Sequence, residues 1–326
     1  MHSPVDSESR ADGSRPFPAR LTMRLEAAAA VAAVLTAVVY TLLVRTATGQ
    51  RWENAVLAGR LEDETLAAAR EANRMLDHIT LSSLGAAVAV LALTGLVRRR
   101  HALTAVSVGT VGVSLLLAEV LKRHVLSRPD LVGAPAALSG NSFPSGHTTI
   151  AMSVLFGLTL VVPYRLRGVA VGICALWAIF VGAYTVAAGW HRPSDTIGAD
   201  LLVLAVACAL SGLLARTGRV RHVAGRPLPL RAVFIVAPLC LVSLIGLGGG
   251  TLLMLDSMFR LSPGDPAVPR LAYIGGHALA AGASAAVTVV LLALLHRVDL
   301  DAPRPPGAGQ DVSRRRDQPD AAGPGR

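Results

Sequence analysis

The sequence predicts an all-α polytopic membrane bundle, and three observations carry that prediction. The 326-residue chain is 52% apolar and only 16% charged, with a mean hydropathy of +0.53. A soluble domain is about 25% charged, so a cytosolic globular enzyme and a disordered or collagen-like chain are both excluded. Second, eight long apolar runs recur along the chain, close to the length that crosses a bilayer core. Third, the basic residues gather unevenly in the segments between those runs.

Residues 1–24 are polar and aperiodic and predict a disordered cytoplasmic tail. Residues 27–44 are eighteen uncharged residues, about 27 Å of helix. Arg20 and Arg24 precede the run, as in a signal peptide. Its length and the poor cleavage context at Thr46–Gly49 make it a retained first span. Residues 50–77, within the outer loop 45–78, mix charges with Leu57, Leu61, Met75 and Leu76 and predict an amphipathic or surface helix.

Runs 79–97 and 102–121 are the second and third spans, the first closed by Arg98–Arg100, the other interrupted only by Glu119. A long loop, 122–146, follows. The fourth span runs from His147 to about Val162, the fifth covers 168–190 and the sixth 196–215. Asp200, in the first turns of the sixth, is read as complementing the helix dipole. These six spans, 25–215, form the expected core. An Arg-rich loop, 216–231, leads to two extra spans, 232–255 and 271–295, and to a tail, 297–326, expected to be disordered.

Eight spans place both termini on one side. Of the 31 basic residues, 20 fall on that side and 11 on the other, so the termini are expected in the cytoplasm of a cell-membrane protein. The net charge of +10 is thus orientation charge, and no nucleic-acid partner is expected. The sequence fixes no oligomeric state. Cys174, Cys208 and Cys240 lie in apolar runs without a Cys-x-x-Cys pattern and read as inert thiols, not metal ligands.

Three stretches at the outer ends of spans carry chemistry: Lys122 to Pro129, Asn141 to His147, and Gly189 to Asp195. Lys122, the only lysine, and Arg128 are cations, and a guanidinium can grip two phosphate oxygens. Pro144-Ser145-Gly146-His147 opens a helix. Ser145 can cap it, and its amides favour an anion. His191 and Asp195 are four apart, so a carboxylate can hold one imidazole nitrogen and leave the other to attack. Singly, each has a plainer reading as anchor, interfacial residue or turn. Arg123, His124 and Arg192 keep that reading, as do His101, His222 and His296; His277 is assigned to helix packing and Glu119 to pairing with Lys122. Order, spacing and sidedness together set the three stretches apart.

These stretches resemble the signature of the type 2 phosphatidic acid phosphatase superfamily: Lys-six residues-Arg-Pro, then Pro-Ser-Gly-His, then Ser-Arg-five residues-His-three residues-Asp. The second motif matches fully and the third in its His191-to-Asp195 half. The resemblance covers roughly 95–215 and implies a metal-independent, cofactor-free phosphatase. It implies His191 as nucleophile, Asp195 as its orienting partner and His147 as proton donor. It also implies Lys122, Arg128, Ser145 and the Gly146 amide as phosphate holders. Two departures stand out: five residues separate Lys122 from Arg128, and Tyr184-Thr185 stand where the family has Ser-Arg.

The expected function is hydrolysis of a lipid phosphate or diphosphate through a phosphohistidine at the outer face, with membrane lipid as surroundings and substrate. The alternative is a non-catalytic or weakly active relative that binds or moves phospholipid. A haloperoxidase is disfavoured because that branch is soluble, and a transporter because only Asp200 and Glu119 put charge within the spans. Thr185→Arg is expected to tighten vanadate inhibition.

Overall fold

All eight apolar runs are helical, as backbone groups in a bilayer must be satisfied within their own segment. The computed structural model describes residues 17–62, 66–133, 140–223, 231–260 and 267–301. The expected disordered tails at 1–16 and 302–326 lie outside the described residues.

The helices are α1 (Phe17–Val39, prolonged by a π turn, Tyr40–Val44), α2 (Ala47–Glu62), α3 (Leu66–Asp77), α4 (Leu81–Val97) and α5 (His101–Val120, prolonged by a π turn, Leu121–Val125). Then come α6 (Gly146–Val161), α7 (Arg167–Ala187), α8 (Pro193–Arg216), α9 (Ala237–Phe259, preceded by a π turn, Ala232–Val236) and α10 (Ala267–Leu294). Among the described residues, six spans are long and apolar enough to cross a membrane, while α4 and α6 are apolar but shorter.

Four features differ from the sequence expectation. Helix α1 begins at Phe17, inside the segment read as a tail, because Leu21 and Leu25 bury against the bundle. Residues 298–301, also assigned to a tail, are ordered: β2 (Val298–Leu300) pairs antiparallel with β1 (Val220–His222). Asp301 holds Arg219 at 2.8 Å and accepts the Leu103 amide at 3.3 Å. Helix α2 is an inner element, with Trp52, Glu53 and Val56 fully buried. Asp200 is buried and accepts Ser284 Oγ of α10 at 2.9 Å, so it ties α8 to α10.

The last two spans pack through small residues. A side chain at Gly246 or Gly250 of α9 would collide with the α10 backbone around Gly275 and Gly282, a Gly-x-x-x-Gly contact that lets backbones touch. Helix α10 also packs on α2, α7 and α8. A Cβ at Gly276 would lie 2.9 Å from both Val56 and Pro193, the first residue of α8. Helix α10 therefore backs the helix that carries Asp195.

Candidate active site

The three chemistry-bearing stretches meet at one pole, and polar bonds stitch them together. Asn141 Nδ2 donates to the Lys122 and Leu126 carbonyls, both at 3.0 Å, capping the π turn that ends α5. The Ser145 amide donates to the Asp195 carbonyl at 2.9 Å, joining the second stretch to the third. The Phe143 ring packs where a side chain at Gly198 would stand. Outside these stretches, Tyr40 OH donates to the Ser127 carbonyl at 2.6 Å, and Gln50 Nε2 donates to the Pro129 carbonyl at 2.6 Å.

His191 Nδ1 lies 3.2 Å from Asp195 Oδ2. The same carboxylate oxygen accepts Ser142 Oγ at 2.6 Å and the Arg192 amide at 2.9 Å. The carboxylate is fully buried, so it is rigidly placed and its hold on Nδ1 leaves Nε2, across the ring, for chemistry. The His147 ring centroid stands 6.3 Å from that of His191 and 5.2 Å from that of Trp190. A pocket of about 240 Å³ opens here, lined by Asn141, Ser142, Gly189, Trp190, His191 and Arg192 among others.

The expected phosphate holders arrive in different ways. Lys122 Nζ sits 3.9 Å from where a Gly146 Cβ would be, so the short Lys122-to-Arg128 spacing does not take the ammonium away from the helix start. Ser145 is fully buried and its Oγ accepts the Thr148 amide at 3.3 Å. Its hydroxyl oxygen serves as the N-cap that orients the first-turn amides, and Ser145 is not among the residues lining the pocket. Arg128 is paired with Glu53 of α2 at 2.8 Å, with both side chains almost wholly buried. Glu53 also accepts the Ser194 amide at 3.3 Å. Burial raises the Glu53 carboxyl above its ordinary range, against the pull of Arg128.

Arg192, read from sequence as an anchor, lines the pocket, is 4% exposed and donates to Ser142 Oγ at 3.2 Å. Burial and then Arg128 push its guanidinium down, and Asp195 and Glu53 oppose them; a guanidinium stays charged regardless. Thr185 contributes no side chain to the pocket. It is fully buried, with Oγ1 donating to the Gly182 carbonyl at 2.8 Å and 3.2 Å from Thr196 Oγ1. Its carbonyl receives the Trp190 and His191 amides, both at 3.1 Å, which shapes the turn carrying the nucleophile candidate.

Glu53, Ser142, Trp190 and Arg192 are the site residues that sequence reasoning missed. Glu53 carried no local signal, being one charge among many in a polar segment. Ser142 and Trp190 lay within the quoted stretches but without a spacing rule to assign them.

Residues 106–221 match the family model of the PAP2 superfamily. Comparison with curated proteins and with solved structures returned no match. The matched segment contains Lys122, Arg128, the Pro144–His147 run, His191 and Asp195. The likeness of this segment to that family supports phosphatase activity on phosphate esters. By its motifs, its family match and the geometry that joins them, the segment 106–221 is similar to the PAP2 superfamily.

Proposed function

We propose that the protein is an integral membrane phosphatase that hydrolyses a lipid phosphate or diphosphate at the outer face. The observation that carries this reading is the arrangement of His191, fixed by Asp195 through Nδ1, with the His147 ring 6.3 Å away and a pocket beside it that Arg192 also lines. The Nε2 lone pair of His191 attacks phosphorus, and the bond to the leaving oxygen breaks as His147 protonates that oxygen. The Asp195 charge stabilises the cationic phosphoimidazole. Water then attacks phosphorus, His147 takes its proton, and the phosphorus–nitrogen bond breaks to free His191 and inorganic phosphate. Lys122, Arg128, Arg192 and the amides of Gly146 and His147 offset the oxygen charges. No step calls for a metal.

A lipid substrate is supported by an apolar groove of about 380 Å³ lined by Ile79, Leu84, Ala87, Ile150, Val154 and Trp177 among others. Ile150 and Val154 follow His147 by three and seven residues, on the same side of α6. A chain lying there would leave its phosphate near the helix start. The non-catalytic reading rests on one observation, the replacement of a phosphate-gripping arginine by the enclosed Thr185.

Phosphate release from short-chain lipid phosphates and diphosphates, by purified protein in chelator-treated buffer, separates the two readings. The wild type should turn over. His191→Ala should lose several orders of magnitude, since proton transfer alone contributes about 10²–10⁴-fold, and should trap no phosphoenzyme. Activity near wild type in His191→Ala removes the assigned nucleophile, and no release from any substrate leaves the binding role.

A further inference from the structure

A second charged cleft opens at the other end of α7, whose 21 residues separate it from His191 by about 30 Å. It encloses about 430 Å³ between the start of α7, the π turn before α9 and the end of α10. Tyr164, Arg231 and His296 form its polar rim, and Val236, Val289 and Leu292 are among its apolar walls.

The rim is unusually positive. The Arg167 and Arg231 guanidinium carbons stand 5.5 Å and 5.3 Å from the Tyr164 ring centroid, so two like charges flank one ring. None of the described residues lining the cleft is acidic. Asp299, which does act on Arg167, is shared with Arg100 at 3.5 Å and Arg221 at 3.7 Å. Burial first, then Arg297 and Arg231, hold His296 below the ordinary imidazole value. The Arg231 stem is seated: its Cγ and Cδ lie 3.2 Å from where a Gly168 Cβ would be. Arg167 is 2% exposed, donates to the Leu295 and Val298 carbonyls at 3.3 Å and 3.2 Å, and its Nε has no partner among the described residues.

We propose that this cleft binds an anionic phospholipid of the leaflet opposite the active site, its phosphate between Arg231 and His296 and its chains against Val236, Val289 and Leu292. Positive charge over hydrocarbon walls at a helix-bundle end matches an amphiphile with net negative charge. A soluble anion would leave the apolar walls unused, and a zwitterionic lipid would leave the charge unbalanced.

The test is native mass spectrometry of the full-length protein in detergent, titrated with phosphatidylglycerol, phosphatidylcholine or inorganic phosphate. Phosphatidylglycerol should bind at least about tenfold more tightly than phosphatidylcholine, and Arg231→Ala should weaken it by about tenfold or more, the size of one charge-assisted bond. Ala293→Trp, at an exposed lining position, should weaken it as much by filling the apolar half, and decides alone if Arg231→Ala does not fold. Both positions are remote from His191, so lipid lost in these variants belongs to this cleft. Equal binding of the two lipids, wild-type affinity in Ala293→Trp, or displacement by millimolar inorganic phosphate would each overturn the proposal.

Discussion

The Glu53–Arg128 pair offers the sharpest test of how the site is held. Both side chains are almost wholly buried at 2.8 Å, and Glu53 also takes the Ser194 amide in the first turn of α8. Glu53→Gln keeps the shape but leaves Arg128 as an uncompensated buried charge. Breaking a buried pair from one side costs about 3–5 kcal/mol, whereas replacing both partners by neutral groups is often close to neutral. Glu53→Gln should therefore lower the unfolding free energy in mixed micelles by that amount, and Glu53→Gln with Arg128→Met should recover most of it. The coupling from the double-mutant cycle should be several kcal/mol. The pair also sets a pH dependence. Burial raises the folded-state pKa of Glu53 above its ordinary value of 4.5. The folded state then binds more protons than the unfolded state in the window above 4.5, so stability falls as pH rises through it. Glu53→Gln should remove that slope. A cost below about 1 kcal/mol, as for an exposed pair, or strictly additive single and double variants, would refute the reasoning.

Asp195→Asn should cut turnover by less than His191→Ala and leave KM nearly unchanged, because the carboxylate touches His191, Ser142 and Arg192 and does not line the pocket; a pure KM effect would make it a binding residue. Thr185→Arg, expected from sequence to tighten vanadate inhibition, meets an enclosed site bonded to Gly182 and Thr196. The structure predicts about 1–3 kcal/mol of overpacking cost and no tighter inhibition, measured by vanadate titration and unfolding. Arg192→Ala should weaken vanadate by about ten- to a hundredfold, one charge-assisted bond; unchanged inhibition would take Arg192 out of the anion site. For orientation, a cysteine at exposed Gly140 should react with an impermeant maleimide on intact cells and one at exposed Arg219 should not. Ser142 is unsuitable as a probe position because its hydroxyl donates to Asp195 at 2.6 Å. The reverse pattern would put the pocket on the cytoplasmic side.

The sequence by itself determined the eight helical runs and the stretches that hold the chemistry. Apolar runs of bilayer length have only one way to satisfy their backbone, so hydropathy reads them directly. The spacing of His191 and Asp195 is local, and the structure keeps it as a 3.2 Å contact. Tertiary structure decided what neither period nor spacing encodes. Glu53 meets Arg128 across 75 positions and Ser142 meets Asp195 across 53. Arg192 turns inward while Trp190, two residues before it, stays 41% exposed. The enclosure of Thr185 follows from α8 packing, and the support of Pro193 by Gly276 follows from glycines that bring backbones together. A buried polar side chain is useful only where a distant segment supplies its partner. Which segment arrives is fixed by the packing of whole helices and not by the residues beside it.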